Sequence, residues 1–396
     1  MTDLTVKIGK LTSINPFWLA SSPITNTGNQ IMKAFDLGWG GAVWKTIGSP
    51  VINLTSRLSC LKYNNAIIGI NNIELISDRS NDINFKEMSE VKKRFPNNLL
   101  ISSLMASKND DWLNLTKRSF DSGADAIEMN LSCPHGMCER GMGDLIGQSP
   151  LKIKEVVSFV TSISKIPVFV KLTPNITNIL DTYDAAVESG CYGVSLINTI
   201  KSITGVNLDN FVPFPNVDGN STNGGYCGPA VKPIALYYLS QVCKYGKNKP
   251  ISGIGGISTW QDAVEFLLLG ASSLQLCTEV MKKGYRIIDG LISGLSNFLI
   301  SKDLYSVEEL IGKSIEKYKK WNELNINYKI VAKINNKNCI KCKLCYIACY
   351  DSAHQCINIV NSFEGENIFV DENLCVGCNL CSMVCPVINC ITMEKK

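Results

Sequence analysis

Two cysteine quartets near the end of the sequence constrain the fold more than any other feature. Each has the spacing C-x2-C-x2-C-x3-C; the first comprises Cys339, Cys342, Cys345 and Cys349, and the second comprises Cys375, Cys378, Cys381 and Cys385. In chains with this doubled spacing, each 4Fe-4S cubane takes three thiolates of one run and the last thiolate of the other. We therefore expect one cluster on Cys339, Cys342, Cys345 and Cys385, and a second on Cys375, Cys378, Cys381 and Cys349.

Disulfides and zinc are the alternatives for so many cysteines. The chain has 17 cysteines, an odd number, and we expect no signal peptide, so a disulfide framework fits poorly. Zinc ribbons use pairs of C-x2-C units rather than triplets with a fourth cysteine three residues on. The sequence thus predicts a bacterial-type two-cluster ferredoxin-like domain, and we expect the apolar residues between the ligands to shield the clusters: Ile340, Leu344, Ile347, Val376, Leu380 and Val384.

Composition limits what the remaining chain can be. With 396 residues, 45% of them hydrophobic and 19% charged, it can bury a large core and hold more than one domain. A net charge of +4 is mild and favours neither a nucleic-acid partner nor an anionic membrane, and we expect neither. No apolar run reaches transmembrane length, so we expect a soluble, cytoplasmic protein. His135 and His354 are the only histidines, which excludes multi-histidine metal sites.

Short apolar runs alternate with helical patterns over the first 300 residues. Four amphipathic stretches end in a glycine suited to a helix C-cap: Gly38, Gly123, Gly190 and Gly270. Eight strands are predicted, at residues 17–21, 42–46, 100–104, 126–131, 168–172, 193–198, 251–255 and 273–276. This repeat predicts the α/β class and a (β/α)8 TIM barrel rather than an open doubly wound sheet. A G-x-G-x-x-G dinucleotide motif does not occur.

The expected domain organisation follows from these two patterns. We assign residues 1–300 to the catalytic barrel, residues 301–335 to a helical linker, and residues 336–396 to the ferredoxin-like domain with two 4Fe-4S clusters.

Polar side chains follow the predicted strands at their carboxyl ends, where TIM barrels carry their chemistry. They are Ser21, Ser22, Lys45, Thr46, Asn130, Ser132, Cys133, Lys171, Thr173, Asn198, Thr199, Gly255, Gly256 and Thr278. Two lysines and late glycine loops favour an anionic, phosphate-bearing cofactor with a polar ring system. The glycines of residues 253–257 would let backbone N–H groups approach a phosphate, although a simple tight turn remains an alternative for that segment.

Cys133 is the candidate for proton chemistry. It lies just past a strand end and opens a stretch containing Gly136, Gly141 and Gly143, which has the composition of a mobile lid. A thiol with the ordinary pKa of about 8.5 is protonated at neutral pH and can therefore donate a proton. His135 could tune this thiol, but an ordinary loop histidine is an equally good interpretation. A second cysteine, Cys138, lies in the same stretch.

The residues around Cys133 resemble a known family. Residues 130–143, with Leu145 and Gly147-Gln148 beyond, closely resemble the active-site loop of dihydropyrimidine dehydrogenases. The same holds for Asn72-Ile73-Glu74-Leu75-Ile76-Ser77, for Lys171-Leu172-Thr173-Pro174-Asn175, and for the segment from Cys349 through Asp351-Ser352 to Gln355. The resemblance extends from residue 16 to residue 391 and is to the bacterial catalytic subunit.

This resemblance implies a reaction and roles for individual residues. An FMN-bearing barrel would reduce uracil or thymine to the 5,6-dihydro compound, with hydride from flavin N5 to C6 and a proton from Cys133 to C5. The implied pyrimidine-binding residues are Asn72, Asn130, Ser132, Asn198 and Thr199. The implied FMN-binding residues are Ala20, Ser21, Lys45, Thr46, Lys171, Gly228, Ile254, Gly255, Gly256, Cys277 and Thr278.

The resemblance also implies partners. Electrons would come through both clusters from an NAD(P)H-oxidising flavoprotein subunit carrying FAD and iron–sulfur clusters, and we expect a homodimer within a hetero-oligomer. A basic stretch from Lys317 to Lys343 would suit docking of that subunit, although a solvated helix and linker is the better interpretation. Two other functions stay open: a dihydroorotate dehydrogenase of pyrimidine biosynthesis, and a non-enzymatic iron–sulfur electron carrier.

Overall fold

The computed structural model describes residues 2–137, 140–362 and 365–396, without the side chains of residues 361, 362 and 365. Cys138 therefore lies outside the described residues. The chain divides into two compact units, Met1–Tyr318 and Lys319–Lys396. None of the helices in the described part is long and apolar enough to span a membrane.

Strands and helices alternate through the first unit and are shorter in the second. The described strands are β1 (Val6–Ile8), β2 (Leu11–Ser13), β3 (Phe17–Leu19), β4 (Gly41–Val43), β5 (Leu58–Tyr63), β6 (Ala66–Asn72), β7 (Leu99–Leu104), β8 (Ala126–Asn130), β9 (Val168–Lys171), β10 (Gly193–Leu196), β11 (Ile200–Ser202), β12 (Gly224–Cys227), β13 (Ile251–Ile254), β14 (Ser273–Leu276), β15 (Ile330–Ile334), β16 (Ile357–Ser362), β17 (Gly365–Val370) and β18 (Ile391–Lys395). The described α-helices are α1 (Gly28–Asp36), α2 (Asn81–Arg94), α3 (Asn109–Asp121), α4 (Asp144–Gly147), α5 (Pro150–Ile163), α6 (Ile179–Glu188), α7 (Lys232–Tyr245), α8 (Trp260–Leu268), α9 (Thr278–Lys283), α10 (Ile287–Ser301), α11 (Leu344–Ser352) and α12 (Leu380–Val384).

Eight parallel strands close into a barrel in the first unit. Their order around the barrel is β10-β13-β14-β3-β4-β7-β8-β9. Each of the eight strands predicted from the sequence corresponds to one of these, and every predicted range overlaps the observed one. The predicted TIM-barrel fold is confirmed.

Glycines end the helices that precede several barrel strands. Helices α1, α3, α6 and α8 are each followed by a glycine with φ between +83° and +105°: Gly38, Gly123, Gly190 and Gly270. After α1, the N–H of Gly38 donates to the carbonyl of Phe35, and the N–H of Trp39 donates to the carbonyl of Ala34. These bonds satisfy carbonyls that the helix end would otherwise leave without donors, and they turn the chain toward the next strand.

Tryptophans carry much of the barrel core. The side chains of Trp18, Trp39, Trp44 and Trp112 are essentially inaccessible to solvent. An aromatic side chain of this size buries about 150–250 Å², worth roughly 4–6 kcal/mol of hydrophobic free energy. Two of the indole N–H groups have buried partners, since Trp18 donates to Ser13 Oγ at 3.0 Å and Trp44 donates to Asn84 Oδ1 at 3.1 Å. The barrel thus has a large apolar core of its own.

A four-stranded antiparallel sheet, in the order β11-β12-β6-β5, contributes to the carboxyl-terminal mouth of the barrel. The sequence did not predict it. The Tyr226 ring packs on Gly69, where an added Cβ would come within 2.0 Å of the ring, so the ring can lie there only because residue 69 lacks a side chain. Residues 203–223 form the connection between β11 and β12.

The second unit contains two antiparallel strand pairs, β15 with β18 and β16 with β17, together with α11 and α12. Six of its eleven buried core residues are cysteines. The prediction that the apolar residues between the ligands shield the clusters is wrong in part. Four of these side chains are between 45% and 63% exposed: Ile340, Leu344, Ile347 and Val376. Val331, Ala332, Ile357, Ile368 and Ile391 form the buried apolar packing instead.

The segment 301–335, for which we expected a helical linker, is shared between the units. Val307 and Leu310 are buried in the barrel core, whereas β15 belongs to the second unit. The described helical turns between them are short 3-10 turns at Ile315–Lys317 and Trp321–Glu323.

Candidate active site

A cavity of about 1220 Å³, including its open mouth, lies at the carboxyl ends of the barrel strands. Its mixture of apolar and polar lining residues is typical of a ligand-binding site. Sixteen of the seventeen residues to which the resemblance assigns a role line it: Ala20, Ser21, Lys45, Thr46, Asn72, Asn130, Cys133, Lys171, Asn198, Thr199, Gly228, Ile254, Gly255, Gly256, Cys277 and Thr278. The structure therefore brings these predicted residues, which come from distant parts of the sequence, to one place.

Ser132 is the predicted substrate-binding residue that does not line the cavity. It is fully buried, and its hydroxyl bridges two amides that do line it. Ser132 Oγ donates to Asn130 Oδ1 at 3.1 Å and accepts from Asn198 Nδ2 at 2.7 Å. The hydroxyl fixes which end of each amide faces the cavity, so its geometry is that of a positioning residue.

The amide of Asn130 also connects to the next polar layer of the barrel. Its Nδ2 donates to Thr46 Oγ1 at 3.0 Å, and the Thr46 hydroxyl also lies 2.9 Å from Ser103 Oγ and 3.2 Å from Ser21 Oγ. These hydrogen bonds hold strand-end side chains in fixed orientations, which prepares the cavity to bind a planar polar ring.

A buried ion pair lies on the cavity wall beside these amides. Lys45 contacts Glu74, and Arg57 Nε lies 3.2 Å from the second carboxylate oxygen of Glu74. Burial lowers the pKa of Lys45 to about 8, although the negative charge of Asp78 acts in the other direction and raises it. Lys45 and Glu74 thus place a buried ion pair, rather than an isolated charge, on the cavity wall. Sequence reasoning did not assign Glu74 a role, although it stands two residues after Asn72 in a segment that carries the resemblance.

A second buried polar network underlies Lys171. Its Nζ lies 3.7 Å from Glu128 Oε1, and Glu128 Oε2 accepts from Ser195 Oγ at 2.6 Å and from Gln275 Nε2 at 2.9 Å. Glu128 and Gln275 were also missed, because a polar residue inside a predicted strand gives no sign of which face it occupies. The Gln275 side chain lines the cavity, and among the described residues its Oε1 is buried with no hydrogen-bond partner.

These observations test whether an FMN fits the cavity. The unpartnered Oε1 of Gln275 can accept from a ring N–H or a ribityl hydroxyl, and the two lysines offer positive charge to the anionic ends of the cofactor. Gly228, Gly255 and Gly256 line the wall with positive φ, and a Cβ on Gly256 would come within 2.7 Å of the Lys232 backbone nitrogen. Bare backbone of this kind allows close approach of a phosphate. The residues present fit FMN.

Cys133 lies at the edge of the cavity, 8% exposed, in a small apolar cluster with Met137 and Met142. Its Sγ donates to the carbonyl of His135 at 3.5 Å. A backbone hydrogen bond fixes the position of Cys133, because the Asp144 N–H donates to the Cys133 carbonyl at 3.0 Å. The buried Asp144 carboxylate in turn pairs with Lys201 of β11 at 2.8 Å.

The His135 ring does not bond the Cys133 thiol. Its Nε2 lies 3.3 Å from the Glu74 carbonyl oxygen, so Nε2 carries the proton and donates. Within the described residues its Nδ1 is buried with no hydrogen-bond partner. Burial lowers the pKa of His135 to about 4, which keeps the ring neutral at physiological pH. The contact supports a structural role that joins the Cys133 loop to Glu74.

The second unit contains two cavities, each lined by one of the predicted cysteine sets. One, of about 300 Å³, is lined by Cys339, Cys342, Cys345 and Cys385, and the other, of about 330 Å³, by Cys349, Cys375, Cys378 and Cys381. Each set joins three cysteines of one quartet to the last cysteine of the other, the arrangement that 4Fe-4S cubanes require. Among the described residues, no three His, Cys, Asp or Glu converge closely enough to hold a single metal ion. The residues fit two cubanes.

Two further cysteines line the same cavities. Cys356 lies in the second cavity and Cys390 in the first. Neither belongs to a quartet, so no spacing rule singled them out.

Part of the basic stretch considered for docking is already paired. Lys333 forms an ion pair with Glu372, and Lys343 Nζ lies 2.9 Å from Glu366 Oε1. Exposed ion pairs of this kind contribute little to stability, but they reduce the local positive charge.

Comparison with known proteins agrees with this division of the chain. The family described as Dihydroorotate dehydrogenase matches residues 3–299, and the family described as 4Fe-4S dicluster domain matches residues 332–393. A crystal structure of a ligand-free dihydroorotate dehydrogenase (DHODH) from Eimeria tenella has a TM-score of 0.66 and 21% identity, over 79% of this chain and 92% of that one. This similarity shows the barrel fold.

Two curated relatives cover different shares of the chain. The NAD-dependent dihydropyrimidine dehydrogenase subunit PreA of Escherichia coli (strain K12) is 39% identical over 99% of this chain and 96% of its own length. The dihydroorotate dehydrogenase B (NAD(+)) catalytic subunit of Thermoplasma acidophilum is 31% identical over 80% of this chain and 100% of its own length. The first of these matches therefore extends over both units, and the second covers a smaller share.

The barrel cavity, the paired cysteine cavities and these relatives lead to one family assignment. The chain belongs to the dihydroorotate dehydrogenase family, and within it to the dihydropyrimidine dehydrogenase catalytic subunits of the bacterial type, oxidoreductases that act on CH–CH bonds with FMN and two 4Fe-4S clusters.

Proposed function

We propose that the chain reduces the 5,6 double bond of uracil or thymine in pyrimidine catabolism, with Cys133 as the proton donor. The observation that carries this proposal is the placement of one thiol and three asparagine amides, from Asn72, Asn130 and Asn198, around a single cavity. A pyrimidine base presents two carbonyl oxygens and two ring N–H groups, and an amide supplies both a donor and an acceptor. The polar wall therefore matches the edge of the substrate.

The chain's own residues hold the base in a fixed register. Because Ser132 bonds both Asn130 and Asn198, each amide has a defined orientation before substrate arrives. The Thr199 N–H donates to Asn198 Oδ1 at 2.8 Å, which fixes that amide from its other side. Preorganised polar groups of this kind reduce the orientational cost of bringing the reacting atoms together.

Cys133 supplies a proton and ends the step as a thiolate. The proton moves from Sγ to C5 of the base, and water then restores it to the sulfur. The contact between the Cys133 thiol and the His135 carbonyl holds the thiol beside the cavity. When bound, FMN supplies the hydride for C6, and the 4Fe-4S clusters supply single electrons that replenish it. Lys45 and Lys171 both line the cavity and would offer positive charge to a reduced, anionic cofactor.

We further propose a separate subunit as the electron source. That subunit would be a flavoprotein with FAD and iron–sulfur clusters that oxidises NAD(P)H, and it would join a homodimer of this chain in the cytoplasm. Two findings support this: the Escherichia coli relative is named as a subunit, and the second unit of this chain has the ligand sets for two clusters.

A dihydroorotate dehydrogenase activity is the second candidate. The family match over residues 3–299 and the Thermoplasma acidophilum relative favour it. That relative accounts for 80% of this chain, whereas the PreA match covers 99% of it. The presence of the two-cluster unit therefore favours pyrimidine reduction over dihydroorotate dehydrogenase activity.

Anaerobic half-reactions separate the two activities. The protein, loaded with FMN and iron–sulfur clusters, is reduced with dithionite and mixed with uracil, thymine or orotate while flavin absorbance is followed. We expect rapid reoxidation by uracil or thymine and dihydropyrimidine as the product. Reoxidation by orotate alone would overturn the proposal in favour of the second candidate. Asn198→Ala should raise the pyrimidine concentration needed for half-maximal rate, whereas Asn325→Ala, in the second unit, should not.

A further inference from the structure

Each cluster cavity of the second unit holds five cysteines rather than four. Cys356 lines the cavity of Cys349, Cys375, Cys378 and Cys381, and Cys390 lines that of the other ligand set. A 4Fe-4S cubane takes four thiolates. One thiol in each cavity is therefore surplus to the cluster.

The two surplus cysteines occupy equivalent places in the fold. Each directly precedes an isoleucine that opens a strand, Ile357 in β16 and Ile391 in β18. Both are buried, at 4% and 2% exposure. The repeated placement follows the internal symmetry of the quartets, so each fifth thiol is a regular feature of its cavity.

Their contacts differ in a way that singles out Cys356. Its Sγ lies 3.5 Å from the Sγ of Cys349, a ligand of the same cluster. Cys390 also lies against ligands, but its Sγ is 3.6 Å from the Asn335 carbonyl oxygen, an acceptor that holds the thiol in place. Cys349 is the crossover ligand, the one cysteine of its cluster that comes from the other quartet.

We propose that Cys356 is a reserve ligand, which binds the iron of Cys349 when Cys349 releases it. In this exchange the Fe–S bond to Cys349 breaks and an Fe–S bond to Cys356 forms. The proton of the Cys356 thiol passes to the departing Cys349 thiolate, or to water where residue 349 has no thiol. No electron is transferred, so the oxidation state of the cluster is unchanged.

A buried cysteine is otherwise simply a small apolar side chain. In that case alanine would serve equally at position 356, and loss of Cys349 would cost the cluster whether or not Cys356 is present. The two roles for Cys356, reserve ligand or apolar core residue, therefore differ in whether the effect of losing Cys349 depends on Cys356.

The test compares variants of the full chain, purified anaerobically and assayed for iron and sulfide. Cys349→Ala should keep nearly the wild-type iron content, and its reduced electron paramagnetic resonance spectrum should change because one cluster has a new ligand. Cys349→Ala/Cys356→Ala should lose about half of the iron. Cys378→Ala, which removes an exposed ligand of the same cavity, is the matched control and should also lose about half.

Two results would overturn the proposal. Equal iron loss in Cys349→Ala and in the double variant would show that Cys356 does not replace the ligand. Full iron in Cys378→Ala would show that the cluster tolerates loss of any ligand.

A second measurement leaves all four ligands in place, so it holds even where Cys349→Ala fails to fold. Iron release to a chelator should be several-fold faster in Cys356→Ala than in wild type. Each time the Fe–S bond to Cys349 breaks, no other thiol is then present to bind the iron. Cys390→Ala should release iron at the wild-type rate. Identical rates for wild type and Cys356→Ala would reject the reserve role.

Discussion

The two units of this chain reach a stable core by different means. The barrel buries four tryptophans and a large apolar cluster, and its functional side chains sit at the strand ends on top of that core. In the second unit, six of the eleven buried core residues are cysteines, and four of those six are predicted cluster ligands. In the barrel, the functional side chains are thus separate from the residues of the core. In the second unit, most of the buried core residues are themselves cluster ligands or other cysteines. Thiol chemistry should be separable from folding in the first and inseparable from it in the second.

Removing the clusters gives the largest expected effect on this contrast. A domain of about 80 residues or fewer rarely gains enough free energy from apolar burial alone, and metal binding then supplies folding free energy. Anaerobic chelation of iron should abolish amide-exchange protection in β15 to β18, while the barrel strands keep theirs. Hydrogen exchange read by mass spectrometry resolves the two regions. Strands that stay protected without iron would show that the second unit has a sufficient core of its own.

Removing the barrel thiol should have the opposite signature. Cys133→Ala should slow pyrimidine reduction by about 10² to 10⁴, the usual contribution of a general acid. Its thermal midpoint and bound flavin should stay close to wild type, because the core of the barrel does not depend on this side chain. Single-turnover flavin reoxidation measures the rate. Cys191→Ala, a fully buried barrel cysteine that does not line the cavity, should lower stability but keep the rate. Loss of folding in Cys133→Ala would break the contrast between the units.

The sequence predicted both kinds of site, for different reasons. Cluster ligands follow a spacing that the geometry of the cubane dictates, so the pairing across the quartets could be predicted from residue numbers alone. The barrel strands were predictable because apolar runs follow helices that end in glycine, and parallel strands bring their carboxyl ends together. The positions of Asn130 and Lys171 on one cavity wall follow directly.

Other features depend on contacts that no local pattern encodes. Strands β11 and β12 are only three and four residues long, and β12 pairs with β6 from a distant part of the sequence. Glu74 belongs to the site because it pairs with Lys45, and Glu128 because it lies beside Lys171. Each lysine is far from its glutamate along the chain, so no local pattern indicates the contact. The surplus position of Cys356 becomes visible only when the cavity is formed.

A change in pH should loosen the barrel loop through His135. Burial lowers its pKa from 6.5 to about 4, so the neutral ring stabilises the fold fully above pH 6.5, and this contribution is lost as pH falls from 6.5 toward 4. The loss is about 3 kcal/mol at most. The thermal midpoint of wild type should therefore fall more between pH 7 and pH 4.5 than that of His135→Gln. The exposed His354 provides the control, since His354→Gln should follow wild type. Equal slopes for His135→Gln and wild type would remove His135 from this dependence.

The smallest expected effect comes from a single barrel turn. Gly190 follows α6 with φ of +85°, and an added Cβ would meet only Thr161 at 3.6 Å, so backbone strain rather than crowding is the cost of a side chain there. Gly190→Ala should destabilise the barrel by about 1 kcal/mol. Gly290 lies inside α10, where an added Cβ would have no atom within 4 Å, and Gly290→Ala should stabilise by about 0.5–1 kcal/mol, since alanine favours helix. Denaturant unfolding measures both changes. Opposite signs would show that local backbone preference governs the effect of a side chain at both positions, and equal signs would show that it does not.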